Sequence, residues 1–430
     1  MKTAELTKSN GLRGEVTPPP DKSISHRAIM FASMAEGKSV VRNFLRAEDP
    51  LSTIKAFRML GIPITEDTTG EVTIEGKGLN GFTEPFDVID CGNSGTTMRL
   101  ISGLLAGNLF LSILTGDDSL KQRPMARVIN PLKQMGALIS ARGGDKYPPL
   151  AIRGTALKSI HYTMPIASAQ VKSCIILASL YADGTTMIIE PQRSRDHTER
   201  MLSAMGAKIK VQGLSVSVKG DTRLQAADVT VPADFSSAAF FIAGALLVPN
   251  SDIIIRGVGI NPTRTGLLNV LVDMGASIKI ENMREISGEP IADIVCSSAD
   301  RLKAFRIAND IVPSLIDEFP ILCILASKAD GVTEIRGARE LRVKESDRIK
   351  AMATELAKLG VEVKEYPDGM DIKGNANLKG CPVESYGDHR IAMSLSIAAL
   401  ISQGTTVINN ASCADISFPG FYETLKGLEA

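Results

Sequence analysis

The sequence predicts an α/β protein of two similar domains, each made of three copies of one repeat. Three observations carry that prediction. The chain has 430 residues, too many for one ordinary core and suited to two domains of about 200 each. A glycine-centred pattern recurs along its length, and a second series of polar openings followed by apolar runs recurs in the same phase.

The glycine series reads Met59-Leu60-Gly61-Ile62, Gln134-Met135-Gly136-Ala137, Ala204-Met205-Gly206-Ala207, Asp273-Met274-Gly275-Ala276 and Lys358-Leu359-Gly360-Val361, with a weaker sixth copy at Leu425-Lys426-Gly427-Leu428. Its spacing, roughly 70 to 85 residues, is that of a compact α/β unit rather than a solenoid repeat. Each Gly is placed to end a helix in the left-handed conformation. The alternating residues that follow, such as 207–211 and 276–280, read as a strand.

The second series opens at Ser23-Ile24-Ser25, Asn93-Ser94-Gly95-Thr96, Ser168-Ala169-Gln170, Asp234-Phe235-Ser236-Ser237, Asp317-Glu318 and Gly387-Asp388-His389. Ala, Ile, Leu and Met follow on nearly every face, as in 175–180 and 238–247. Helices apolar all round are buried. Ser, Asp and Asn at their starts satisfy backbone N–H groups that have no partner inside the helix. Each repeat therefore reads as a buried helix, strands, an amphipathic helix ending at Gly and a closing strand. If the six helix N-termini converge, their dipoles and free N–H donors add up to a site for anions, phosphate above all.

Pro18-Pro19-Pro20 is a stiff connector, and a second crossing is expected near Val231-Pro232-Ala233. The sixth repeat stops at Ala430 without its closing strand, so residues 4–17 are expected to supply it. The domains are then 21–231, and 1–20 with 232–430, hinged at a double chain crossing.

Composition narrows the function. Lys plus Arg equals Asp plus Glu, 48 each, Trp is absent and aromatics make up 4%. No nucleic-acid partner is expected from such a balance, and any cationic chemistry is local. The six Cys show no metal or redox spacing and read as reduced buried thiols. With four His and no ligand-spaced cluster, neither a metal nor another cofactor is expected. Residues 1–10 lack a signal core and the apolar runs fall short of a membrane span, so the expectation is a cytoplasmic protein with no membrane partner.

Pro20-Asp21-Lys22-Ser23-Ile24-Ser25-His26-Arg27 sets two cations and two hydroxyls at a helix start, where Lys22, Ser23 and Arg27 can hold phosphate or carboxylate oxygens. Asp90-Cys91-Gly92-Asn93-Ser94-Gly95-Thr96-Thr97-Met98-Arg99 is a glycine-rich helix start with free N–H groups, and Gly116-Asp117-Asp118-Ser119-Leu120 leads to Gln122-Arg123-Pro124-Met125. Ser168-Ala169-Gln170-Val171-Lys172-Ser173 offers a hydroxyl and an amide; Ser194-Arg195-Asp196-His197-Thr198-Glu199 offers a cation, with His197 read as a local hydrogen-bonder. Asp317 opens the fifth buried helix, whose dipole favours its ionised form. In Leu341-Arg342-Val343-Lys344-Glu345-Ser346-Asp347-Arg348, a helix would place Lys344 and Arg348 on one face. Taken singly, each string also suits a capped or ion-paired surface helix.

Taken in order, these strings resemble the 5-enolpyruvylshikimate-3-phosphate synthase family of enolpyruvyl transferases along nearly the whole chain; the strings 20–27 and 341–348 are the most specific to it. The resemblance implies two domains of three βαβαββ repeats, the inverse α/β barrel. It implies a monomer that transfers the enolpyruvyl group of phosphoenolpyruvate to the 5-hydroxyl of shikimate 3-phosphate and releases phosphate, through addition and then elimination. It assigns Lys22, Ser23, Arg27, Ser168, Ala169, Gln170, Arg195, Asp317 and Lys344 to shikimate 3-phosphate. It assigns Lys22, Asn93, Gly95, Arg123, Gln170, Arg348, His389 and Arg390 to phosphoenolpyruvate. Lys22, Asp317 and Glu345 are its candidates for moving protons, with the division among them left open.

Two positions depart from the family pattern. Ala169 stands where many members have a second Ser, and Ile416, beside Phe418-Pro419, where many have a Lys. Because the cations come from both halves, a cleft that closes on its ligands is expected. The resemblance also implies competition by glyphosate, since Gly95 lacks a methyl. The rivals are a UDP-N-acetylglucosamine enolpyruvyl transferase, which often uses a loop Cys, and a non-catalytic phosphate-binding protein, which needs neither Asp317 nor Glu345.

Overall fold

Five side chains start five of the buried helices. Asp21 accepts from the Ile24 N–H at 2.8 Å, Ser94 from Thr97 at 3.1 Å, Ser168 from Val171 at 3.4 Å, Asp234 from Ser236 at 2.8 Å and Asp388 from Arg390 at 3.0 Å. The helices they cap are Lys22–Met34, Gly95–Ala106, Ala169–Ser179, Phe235–Leu247 and His389–Ala399. A sixth, Phe319–Lys328, follows Glu318 without a side-chain cap and carries a proline in its first turn, where no N–H is missed. The computed structural model that shows this describes residues 2–307 and 310–430.

Among the described residues six sheets form, and five share one plan. In the second, Ile89–Asp90 runs parallel to Leu111–Thr115, which lies antiparallel to Tyr147–Arg153, itself paired with Leu138–Ala141. The expected single closing strand is thus an antiparallel hairpin. A left-handed glycine turns the amphipathic helix into it: Gly61, Gly136, Gly206, Gly275 and Gly360 have φ between 82° and 102°. Gly427 departs from the expectation. It lies inside Phe421–Leu428, whose cap Glu429 has φ −66°. No hairpin follows it, so no reversal is needed.

Short strands from distant parts of the chain complete the repeats. Val229–Thr230 runs parallel to Glu36–Arg42 and completes the first sheet from the end of the third repeat. Thr3–Thr7 lies antiparallel to Thr405–Asn409, with Ala4 opposite Ile408. The rest of the N-terminal stretch goes elsewhere than expected: Arg13–Val16 runs parallel to Asp252–Ile255 and serves the fourth sheet. One short strand fills each vacancy, so residues 4–17 divide between two repeats.

The chain forms two compact units. One comprises Pro20–Val231 with Ile286–Glu289 and is called the first unit; the other comprises Met1–Pro19, Pro232–Glu285 and Pro290–Ala430 and is called the second. Each has its own apolar core, around residues such as Phe31, Phe57 and Leu104 in the first. In the second, Phe241, Phe418 and Phe421 pack with ring centroids 5.5–6.0 Å apart. Burying each such side chain contributes about 1.5–3 kcal/mol. Among the described residues no helix is long and apolar enough to cross a membrane, and no three metal-ligating side chains gather.

Candidate active site

In the first unit, three helix starts hold polar groups in place. Arg27, one turn into the first buried helix, is itself buried. Its Nε donates to Thr198 Oγ1 at 2.8 Å, Nη2 to Ser173 Oγ at 2.9 Å and Nη1 to the Ser23 carbonyl at 3.0 Å. Burial, with the like charge of Arg195, brings its pKa down to about 10 against the pull of Glu199, Asp21 and Glu289. Lys22, at the mouth of the same helix, pairs with Asp49 at 3.2 Å. His26 beside them is kept neutral, since burial and the charges of Lys22 and Arg27 push its pKa well below 6.5. A buried run of hydroxyls joins it to the second helix start. His26 Nδ1 meets Thr53 at 2.7 Å, Thr53 meets Thr97 at 2.8 Å, and Thr97 donates to Ser94 at 2.8 Å.

Asn93, Gly95, Arg123 and Gln170 come together there. Arg123 Nη2 donates to Asn93 Oδ1 at 2.6 Å, and Asn93 Nδ2 donates to Asp117 at 2.6 Å. Gln170 accepts from Arg99 Nη1 at 2.6 Å and donates to Thr96 Oγ1 at 2.9 Å. A methyl placed on Gly95 would stand 3.0 Å from Arg99 Nη1 and 3.4 Å from Arg123 Nη1. The third buried helix links both groups: Ser168 caps it, Ala169 and Gln170 open it, and Ser173 one turn on bonds Arg27. At Ala169 that opening is half-buried and offers only a methyl.

In the second unit the arrangement centres on Arg348, 1% exposed. Its Nε donates to Asp388 Oδ2 at 2.8 Å, Nη2 to Glu345 Oε2 at 2.7 Å and Nη1 to Asp317 Oδ1 at 3.3 Å. Burial alone would lower its pKa, but the Asp388, Glu345 and Asp317 carboxylates outweigh burial and raise it. Asp388 shows the reverse: burial opposes its charge, and Arg348 and His389 nonetheless hold its pKa below the usual value. Arg390 donates to the Asp317 carbonyl at 3.3 Å, and its Nη2 stands 3.7 Å from the Asp317 carboxylate. His389 is buried between Asp388 and Arg390 in the chain.

The expected helix through Lys344 and Arg348 is broken. A 3₁₀ turn spans Arg339–Val343, Lys344 is its half-buried extended cap, and the α-helix begins at Arg348 behind the cap Asp347. Asp347 binds the Lys350 N–H at 3.0 Å and Arg342 at 2.9 Å, which starts the helix afresh. Glu345 reaches Arg348 from this turn rather than from a helix face. Ile416 ends the 3₁₀ segment Ala411–Ile416.

Arg99, Asp49 and the pairing role of Asp388 are not singled out by the sequence expectations. A charge inside an apolar helix start was the available signal for Arg99. Asp49 lies far from Lys22 in sequence, and nothing local announces the pair.

The comparisons with known proteins agree on one family. A family model described as EPSP synthase (3-phosphoshikimate 1-carboxyvinyltransferase) matches residues 6–425. The chain is 56% identical over 425 residues to a 3-phosphoshikimate 1-carboxyvinyltransferase of Thermodesulfovibrio yellowstonii, with 99% of each chain covered. It is 53% identical to the one from Citrifermentans bemidjiense, covering 100% of this chain and 99% of that one. Among solved structures it is similar to an EPSP synthase from Acinetobacter baumannii, with TM-score 0.89 and 45% identity over 100% of this chain and 98% of that chain.

Proposed function

The chain belongs to the EPSP synthase family, and on that premise we propose that the groups around Arg27, Arg123 and Arg348 are its active site. The reaction is transfer of the enolpyruvyl group of phosphoenolpyruvate to shikimate 3-phosphate, a step of aromatic amino acid biosynthesis in the shikimate pathway.

Both substrates are anions, and the residues divide by the oxygen they serve. Arg27, Arg195, Ser23 and Ser168 take the phosphate of shikimate 3-phosphate, with Lys344 and Gln170 on its ring and carboxylate. Arg123, Asn93 and the N–H groups at Gly95 take the phosphate of phosphoenolpyruvate. Arg348 and Arg390, with His389 beside them, take its carboxylate. Asp317 accepts the proton of the 5-hydroxyl as that oxygen bonds to the enol carbon, while the neighbouring methylene carbon gains a proton. The tetrahedral adduct then loses phosphate, as the C–O bond to it breaks and a proton leaves the methyl carbon. Glu345 handles the proton at that carbon, and Lys22 stands by the departing oxygen.

The single observation that supports this reading is the sharing of Arg348. Its guanidinium touches Asp317 and Glu345 at once. A carboxylate bound to Arg348 and Arg390 therefore lies beside the two groups that must move protons. Zero net charge gives no sign of a nucleic-acid partner, and the cations that serve small anions are local. The reading extends to a monomer in the cytoplasm, which sedimentation and localisation test separately.

Phosphate release with phosphoenolpyruvate and shikimate 3-phosphate tests the whole. Release with UDP-N-acetylglucosamine instead, or with no acceptor tried, overturns it.

A further inference from the structure

Lys172 is a charge where the sequence pattern calls for an apolar residue. It lies one turn into the third buried helix, 1% exposed, and its ammonium is enclosed by one stretch of chain. Nζ stands 2.9 Å from Glu190 Oε2 and 2.7 Å from Glu199 Oε1, and donates to the Ser194 carbonyl at 3.3 Å. Both carboxylates are buried. Glu190 in turn accepts from the Ser194 N–H at 3.2 Å and from its hydroxyl. Thr198, next to Glu199, bonds Ser173 at 2.7 Å and Arg27 at 2.8 Å.

Burying an ammonium and two carboxylates is costly unless the pairing is complete, and apolar side chains would fill a core equally well. What the charges add is direction. The residues bound to Lys172 are 190, 194 and 199, and Arg195 lies between the last two. The stretch joins the strand Thr185–Ile189 to the helix His197–Ala204; the Glu190 N–H meets the Leu214 carbonyl at 2.9 Å and the Asp196 carbonyl accepts from the Arg200 N–H at 3.0 Å, while residues 191–195 between them belong to neither element.

We propose that Lys172 is a positioning residue: it pins the 190–199 stretch at both ends and so aims Arg195 at the phosphate of shikimate 3-phosphate. The inference rests on the reading of Arg195 given above. The Lys172 ammonium is enclosed and meets no substrate; it acts through Ser194 and Glu199.

The test compares Lys172→Met, Glu190→Gln, Arg195→Ala and the double variant Lys172→Met/Arg195→Ala in the full chain. Steady-state kinetics are read for each substrate in turn. A misaimed guanidinium about an ångström out of place costs on the order of 10- to 100-fold. Lys172→Met is therefore expected to raise KM for shikimate 3-phosphate at least about tenfold, with KM for phosphoenolpyruvate within about twofold. Glu190→Gln keeps the volume, serves if Lys172→Met does not fold, and is expected to give a smaller rise in the same constant. In the Arg195→Ala background, Lys172→Met is expected to add nothing, since coupled residues are not additive. Equal changes in both KM values, or full additivity with Arg195→Ala, overturns the proposal. If Arg195→Ala itself leaves KM for shikimate 3-phosphate unchanged, the assignment of Arg195 fails, and the role of Lys172 fails with it. If Arg195→Ala raises that KM and neither Lys172→Met nor Glu190→Gln does, only the positioning role is overturned.

Discussion

Arg27 in the first unit and Arg348 in the second are both buried arginines close to the start of a helix, yet they are held in opposite ways. Arg27 bonds two hydroxyls and a carbonyl. Arg348 bonds three carboxylates. Neutral partners fix a guanidinium's direction and leave its charge to be met by an incoming phosphate. Carboxylate partners neutralise the charge already, and the same cation stands beside Asp317 and Glu345, the acids proposed above to move protons. On the assignment proposed above, Arg27 of the first unit receives a phosphate with its charge not yet met by a bonded carboxylate, while Arg348 of the second receives a carboxylate beside acids it already pairs.

The sharpest way to break this contrast is to remove the acid that distinguishes the second unit. Asp317→Ala is expected to lower kcat by about a thousandfold, roughly 4 kcal/mol of barrier. The dissociation constant for shikimate 3-phosphate should stay within a few-fold. Rapid-quench measurement of turnover beside equilibrium binding checks both. Near-normal turnover would reduce the carboxylates to scaffolding.

Stability separates the two arginines next. Arg348→Met takes the guanidinium away from the buried Asp388 carboxylate, and breaking such a buried pair costs about 3–5 kcal/mol. Arg27→Met leaves two hydroxyls and the Ser23 carbonyl, and Ser173 and Thr198 already bond each other at 2.7 Å. A loss of about 1–2 kcal/mol is expected there. Urea unfolding of the two variants measures the difference, and equal losses would erase it.

The same contrast has a pH signature, with opposite signs. Asp388 has its folded pKa below the ordinary 3.8, so its contribution is complete above that value and is lost as pH falls through the lower folded value. Glu199 in the first unit is the reverse. Burial raises its pKa above 4.5 despite Lys172, so the folded form binds more protons and stability falls as pH rises through that window. At neutral pH, Asp388→Asn is expected to destabilise by several kcal/mol, of the order found on breaking buried pairs, about 3–5. Glu199→Gln should change stability by about 1 kcal/mol or less, in the stabilising direction, because Lys172 keeps Glu190. Unfolding curves from pH 3 to 8 read both, and a large loss in Glu199→Gln would show that the buried pairs of the two units are alike.

How much of this was legible in sequence follows from range. Helix starts and ends are local events, so Ser94, Ser168, Asp234 and Asp388 could be read directly, as could five of the six glycine turns, whereas the first cap is Asp21 rather than the expected opening at Ser23. Gly427 misled because its neighbours match the pattern while the strand it would turn into is missing. The helix through Lys344 failed for a related reason. Asp347 caps locally and draws Arg342, and a four-residue spacing cannot reveal that competition. Long-range pairs were beyond reach: Lys22 with Asp49, Lys172 with Glu190 and Glu199, and Arg348 with Asp388 join residues that only the repeat packing brings together. The candidate site was read through family resemblance more than through local chemistry, and its carboxylate partners were the part that resemblance left incomplete.

The smallest expected effect on turnover kinetics lies in the first unit, where a single methyl tests how tightly the charge-receiving side is drawn. Gly95 opens its helix without a positive φ, so alanine fits the backbone, and helix propensity favours it by up to about 1 kcal/mol. The added methyl nevertheless falls 3.0 Å from Arg99 Nη1, which Gln170 and the Pro124 carbonyl hold at 2.6 and 3.3 Å. The guanidinium must yield by a few tenths of an ångström. Gly95→Ala is therefore expected to raise KM for phosphoenolpyruvate about 3- to 10-fold, or about 0.7–1.4 kcal/mol, with thermal stability undiminished. Glyphosate, a longer phosphonate–carboxylate dianion expected to compete for the same cations, should lose more than the substrate does. Inhibition constants for both proteins decide it. If substrate and inhibitor are untouched, the guanidinium pair at Gly95 is not where phosphoenolpyruvate binds, and the charge-receiving role of the first unit rests on Arg27 and Arg195.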